Sequence, residues 1–136
     1  AAGKVRGQAT LLASGAILPE ALRAAERLAQ DGIAASVVSI TSWSELARDG
    51  RACATGGGTP WIAQVLAATQ GPIVAASDYV SAVPELLRAH LPAGRSYRTL
   101  GTDGFGCSDT RSALRRHFGI DAEGIAAAAK SCLPQR

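Results

Sequence analysis

The residues that could do chemistry in this chain are few, and their spacing supports little of it. Cys53, Cys107 and Cys132 are odd in number, far apart and without a C-x-x-C pair, so neither a disulfide framework nor a structural zinc site is expected. His90 and His117 are the only histidines and fall near helix ends, where a structural or solvent role is the commoner one. No serine lies in a G-x-S-x-G turn and Cys107 has no base in its loop, so nucleophilic catalysis lacks support. Glu20, Glu26, Glu45 and Glu85 read as solvent-facing carboxylates on helices. No catalytic, cofactor-binding or metal-ligating residue is expected.

Two glycine turns remain. Ser14-Gly15-Ala16 lies between an apolar run and a helical pattern, a place where helix amides can bind an anion but where a tight turn needs glycine anyway. Gly101-Thr102-Asp103-Gly104-Phe105-Gly106 lacks the glycine order of a dinucleotide fingerprint and the Lys of a phosphate loop. NAD and ATP are thereby disfavoured.

These turns need a scaffold, and the periodicity supplies one. Apolar runs at Gln8 to Ser14, Ile33 to Ile40, Ile73 to Ser77 and Tyr97 to Leu100 read as strands, the second as one covered on both faces and the third as central. Helical spacing fills Leu18 to Asp31, a stretch from Ser42 that fades at Asp49-Gly50, Trp61 to Thr69, Val80 to Leu91, Asp109 to Phe118 and Asp121 to Leu133. Ser42 with Glu45 has capping-box spacing, and Pro84 is tolerable only in a first helical turn. The alternation predicts a three-layer α/β/α sandwich around a mostly parallel sheet of about five strands.

With 136 residues, 47% of them hydrophobic and a mean hydropathy of +0.11, residues 1–136 are expected to form one domain. Twenty-eight alanines against six aromatics call for close packing of small side chains. The net charge of +3 comes from scattered arginines, with Arg111, Arg115, Arg116 and His117 the only dense group, a weak signal for nucleic acid. No leader or apolar run of membrane length is seen, so no membrane partner is expected, and the cysteine usage suits a reducing cytoplasm.

The segment Leu100-Gly101-Thr102-Asp103-Gly104-Phe105-Gly106-Cys107-Ser108-Asp109-Thr110-Arg111 is the most specific in the chain. With ALRRHFGID after it, and LLASGAIL, SITSWSELARDG, WIAQVLAA and ASDYV before it in order, it resembles the C-terminal domain of the homodimeric bacterial pyruvate dehydrogenase decarboxylating component, a relative of transketolase. The resemblance covers most of residues 8–121.

That resemblance implies the third domain of a three-domain enzyme whose thiamine diphosphate and magnesium are held upstream. It implies Asp103, Phe105, Ser108 and Arg111 as a contact loop, with the upstream domains, a second copy and a dihydrolipoyl acyltransferase as partners. The parent chemistry would be thiamine attack on a 2-oxo acid, decarboxylation and reductive acylation of a lipoyl group. The isolated chain would be inert. Cys107 stands where the family commonly has arginine, and the stretch Arg51 to Pro60 and the tail after Asp121 are short. A stand-alone regulatory or small-anion-binding module on the same fold, and a purely structural interaction domain, are the competing readings.

Overall fold

The computed structural model describes residues 7–77, 82–92, 95–101 and 122–133. Four parallel strands form its sheet: β1 (Gly7–Ala13), β2 (Ile33–Ser39), β3 (Ile73–Ala76) and β4 (Tyr97–Leu100), in the order β2-β1-β3-β4. In the registers Leu11 lies opposite Val37 and Val74, and Val74 opposite Arg98. The α/β class is as the sequence predicts, and the four strands it locates are the four that form among the described residues. About five were expected; outside these four runs the described residues contain no further β-branched apolar stretch.

Helices α1 (Leu18–Gln30), α2 (Trp43–Gly56), α3 (Trp61–Leu66), α4 (Ala82–Glu85) and α5 (Ala122–Ser131) complete the described elements. On one side of the sheet Ala9, Leu11, Ala13 and Val74 pack with Ala21, Ala24 and Leu28 of α1 and Ile125, Ala126 and Ala129 of α5. On the other, Leu12, Ile73 and Ala75 meet Trp43, Ala47, Ile62, Leu66 and Leu87. Three layers result. The alanines let α1 and α5 lie close to the sheet and to each other, replacing side-chain bulk by tight backbone approach.

Three elements depart from the pattern in the sequence. β2 was expected to be covered on both faces, yet only Ile33 is buried: among the described residues β2 is an outer strand, and its Ala35 and Val37 are half-buried against the α1 side. α2 does not fade at Gly50 but runs six residues further, to Gly56. Gly50 is a packing residue: a Cβ there would stand 2.3 Å from the His90 ring. Of the expected helix from Val80 to Leu91, residues 82–91 are described, and they form the one turn of α4 and a 3-10 turn at Arg88–His90. An α-helix would need the Pro84 carbonyl to accept from Arg88 N–H. Instead it accepts from Leu87 N–H at 3.2 Å and from the Tyr97 hydroxyl at 2.5 Å.

Ser42 caps α2 as its spacing predicts, accepting from Glu45 N–H at 3.2 Å, while the Glu45 carboxylate pairs with Arg48. Cys53 and Cys132 are free thiols. Gly71 combines a φ of +87° with a backbone so close that a Cβ would lie 1.8 Å from the Gln8 carbonyl oxygen. Gly71→Ala should therefore destabilise the chain by about 3 kcal/mol or more in urea unfolding. Gly56→Ala, at an ordinary helical position with open space around it, should be neutral or mildly stabilising.

Candidate functional site

In an open α/β sheet, ligands and partners meet the carboxyl ends of the strands, at the point where the strand order reverses. Here that point lies between β1 and β3, since the chain moves from β1 to β2 on one side and from β3 to β4 on the other. The residues that follow the four strands are Ser14, Ile40, Ser77 and Gly101. None has a titratable side chain, so proton transfer is not available from them.

Ser14 precedes a 3-10 turn at Gly15–Ile17, with Gly15 at a φ of +54° and Pro19 in the first turn of α1. The Ser14 hydroxyl accepts from the Trp43 indole N–H at 3.0 Å. That bond joins the end of the first strand to the start of α2. Ser77 is buried, and its N–H donates to the Leu100 carbonyl at 3.1 Å, binding the ends of β3 and β4 together.

Leu100 and Gly101 are the last described residues before the contact loop. Asp103, Phe105, Ser108 and Arg111, with Cys107 and the basic group at Arg115, Arg116 and His117, lie outside the described residues. The strand that carries the loop is in place, and its setting holds two clusters that sequence reasoning missed.

The first joins α4 to β4. The Glu85 carboxylate accepts from Arg88 Nε at 2.6 Å, from Arg88 Nη2 at 2.7 Å and from the Thr99 hydroxyl at 2.9 Å. Hydrogen bonding from Arg88 holds the Glu85 carboxyl below its ordinary value of 4.5, against the opposing effect of burial. The guanidinium also lies 5.1 Å from the centre of the Tyr97 ring, a cation-π contact. Burial, with the Glu85 charge nearby, pushes the Tyr97 phenol above its ordinary value.

The second cluster stands at the amino end of the sheet. Arg95 donates to the carbonyls of Gly71 at 2.8 Å and Leu66 at 3.0 Å, and to the hydroxyls of Thr69 and Thr10, both at 2.9 Å. Burial lowers its pKa from the ordinary value, though a guanidinium stays charged. Thr10, fully buried, donates in turn to the Gln70 carbonyl at 3.1 Å. Glu20 also departs from its expected solvent role: its carboxyl is only 12% exposed and accepts from Arg23 and from the N–H of Ala122 at the start of α5. Arg23 and Arg88 are local i,i+3 partners of Glu20 and Glu85, but Ala122, Thr99 and the acceptors of Arg95 lie farther along the chain, where local patterns carry no signal.

Four parallel strands in the order β2-β1-β3-β4, with helices packed on both faces, define a doubly wound α/β domain. This chain belongs to the transketolase-like TK C-terminal domain family, whose model matches residues 2–121. The pyruvate dehydrogenase E1 component of Mycolicibacterium smegmatis is 50% identical over 129 residues, covering 88% of this chain and 14% of that protein. The protein of the same description from Escherichia coli is 44% identical over 140 residues, covering 96% of this chain and 15% of that protein. A solved split-gene transketolase, described as an inactive β4 tetramer, aligns with a TM-score of 0.63 and 26% identity over 93% of this chain and 39% of that chain. The chain therefore spans about one seventh of the length of these curated relatives, as their 14% and 15% coverage gives.

Among the described residues no three histidine, cysteine, aspartate or glutamate side chains converge as a metal site. No described helix is long and apolar enough to cross a membrane.

Two outcomes follow from the clusters. Arg95→Lys should cost about 1–3 kcal/mol of stability in denaturant unfolding, because one ammonium cannot satisfy the carbonyls and hydroxyls that a guanidinium bridges. Glu85, whose native pKa is depressed, contributes stability that is full above 4.5 and is lost as pH falls through the lower native value. The difference in stability between the parent chain and Glu85→Gln, measured by thermal melts across pH, should shrink to nothing at the acid end.

Proposed function

We propose that this chain is the C-terminal domain of a thiamine-diphosphate-dependent pyruvate dehydrogenase decarboxylating component. In this reading it supports the dimer and buttresses the active-site cleft from outside, and the cofactor is held by domains upstream in the same chain. The observation that carries it is 50% identity across 88% of this chain to one seventh of a pyruvate dehydrogenase E1 component. The absence of titratable side chains at Ser14, Ile40, Ser77 and Gly101 supports a mechanical part rather than a chemical one. The solved split-gene relative, an assembly described as inactive, is consistent with a domain that assembles without catalysing.

The domain's work is then positioning. Its rigid sheet offers the end of β4 and the loop from Gly101 to Arg111 to a neighbouring domain, with Asp103, Phe105, Ser108 and Arg111 as contact residues. Phe105 between Gly104 and Gly106 is free to be presented outward, and Arg111 can pair with a partner carboxylate. The parent enzyme would pass its acyl group to a dihydrolipoyl acyltransferase, in the cytoplasm.

Two measurements test this reading. Calorimetry of the chain with magnesium and thiamine diphosphate should show no binding, and micromolar affinity would mean the cofactor site is here. In the complete enzyme, Phe105→Ala or Arg111→Ala should raise the dimer dissociation constant about 30-fold, the equivalent of about 2 kcal/mol, while the isolated chain melts as before. If Phe105→Ala instead unfolds the isolated chain, the residue belongs to the core and the loop is only a turn.

A further inference from the structure

β4 is four residues long and, among the described residues, pairs on one side only, with β3. Short outer strands open at low cost in free energy. Its carboxyl end is nonetheless where the chain leaves the sheet toward the proposed contact loop, and a loop cannot be aimed from a strand end that frays. The main chain ties that end through Ser77 N–H to the Leu100 carbonyl.

Side chains add a second tie. Thr99, next to Leu100, donates to Glu85 Oε1 at 2.9 Å. Glu85 is itself fixed by the two-pronged contact from Arg88, and Arg88 Nη2 donates onward to the Tyr97 carbonyl at 3.1 Å. Tyr97 closes the circuit through its hydroxyl to the Pro84 carbonyl. The pair is too open for its attraction to matter much to folding: the Arg88 and Glu85 side chains are 53% and 36% exposed, and exposed pairs contribute about 1 kcal/mol or less. Its two-pronged geometry, by contrast, fixes direction. The carboxylate oxygen Oε1 that accepts from Arg88 Nη2 is the one that accepts from the Thr99 hydroxyl.

We propose that Glu85 and Thr99 are positioning residues, whose hydrogen bond straps α4 to the carboxyl end of β4 and sets where Leu100 and Gly101 stand on the edge of the sheet. The inference rests on the interface reading above and deepens it: the strap determines how the contact loop is offered to its partner. Arg88 and Tyr97 act through it, one by orienting the carboxylate and the other by fixing the turn after Pro84.

Amide hydrogen exchange on this chain provides the test, with Ser77 N–H reporting on the β4 end. Thr99→Val keeps the shape and the β-branch while removing the hydroxyl, and should speed exchange at Ser77 about tenfold, the scale of a lost hydrogen bond to a charged acceptor. Leu11 and Leu12 in β1 should be unchanged. Thr99→Ser, which restores the hydroxyl, should restore protection, and Glu85→Gln should loosen Ser77 as Thr99→Val does. Unchanged exchange at Ser77, or an equal rise in every strand, would overturn the strap.

In the complete enzyme Thr99→Val should also weaken the dimer, by less than Arg111→Ala does. If Arg111→Ala weakens the dimer and Thr99→Val leaves it intact despite faster exchange at Ser77, the strap does not position the loop, and the interface reading stands without it. If Arg111→Ala has no effect, the interface reading falls, and the exchange result alone decides whether the strap holds the strand end.

Discussion

The fold depends on a single guanidinium. Arg95 reaches from just before β4 to Thr10 in β1, to Leu66 at the end of α3, and to Thr69 and Gly71 in the connection between α3 and β3. It crosses 85 residues of sequence in its longest bond. The connection turns sharply at Gly71, pressed against the Gln8 carbonyl, and Arg95 donates to the Gly71 carbonyl there. Arginine suits this place because its five N–H groups lie in a fixed plane and can satisfy several acceptors at once. The oxygens it meets here are all neutral, so what it contributes is geometric closure. That closure ties β1 and the turn before β3 to the residue just before β4.

At the opposite end of the sheet the ties are of another kind. Trp43 to Ser14 links β1 to α2, Ser77 to Leu100 links β3 to β4, and Thr99 to Glu85 links β4 to α4. Each is a single contact, with Ser77 fully buried and the Trp43 and Thr99 bonds part-buried, where the amino-end clamp is multiply bonded. The carboxyl end is the one from which α/β domains act.

Much of this was legible in the sequence because it is written in local patterns. The four apolar runs became the four strands, Ser42 capped its helix, and Pro84 stayed within a first turn. What escaped was set by partners far along the chain. Gly50 looked like a helix stop, since nothing near it shows that the His90 ring will lie against it. Arg95 was one scattered arginine among twelve. Glu20 and Glu85 looked like ordinary helical carboxylates until α5 and β4 brought an N–H and a hydroxyl to them. β2 looked buried because its composition is apolar, yet its exposure is decided by strand order, which composition does not encode. The contact loop named from resemblance, with Asp103, Phe105, Ser108 and Arg111, lies outside the described residues.

The alanine content bears on the same division. A core of Ala21, Ala24, Ala126 and Ala129 between two helices and a sheet buries little area per residue, so its strength must come from density of contact rather than from bulk. Such cores tolerate little movement between layers, because a gap of a fraction of an ångström forfeits much of the attraction. The ion pairs Arg27 with Glu123 and Lys130 with Asp31 link α1, its C-cap and α5 from outside, at positions about half exposed or more, where they add register more than stability. The other layer is built differently among the described residues: there Leu12, Ile62, Leu66, Ile73 and Leu87 supply bulk where alanines supply closeness on the first, and the single turn of α4 is joined to β4 by the Thr99 to Glu85 hydrogen bond.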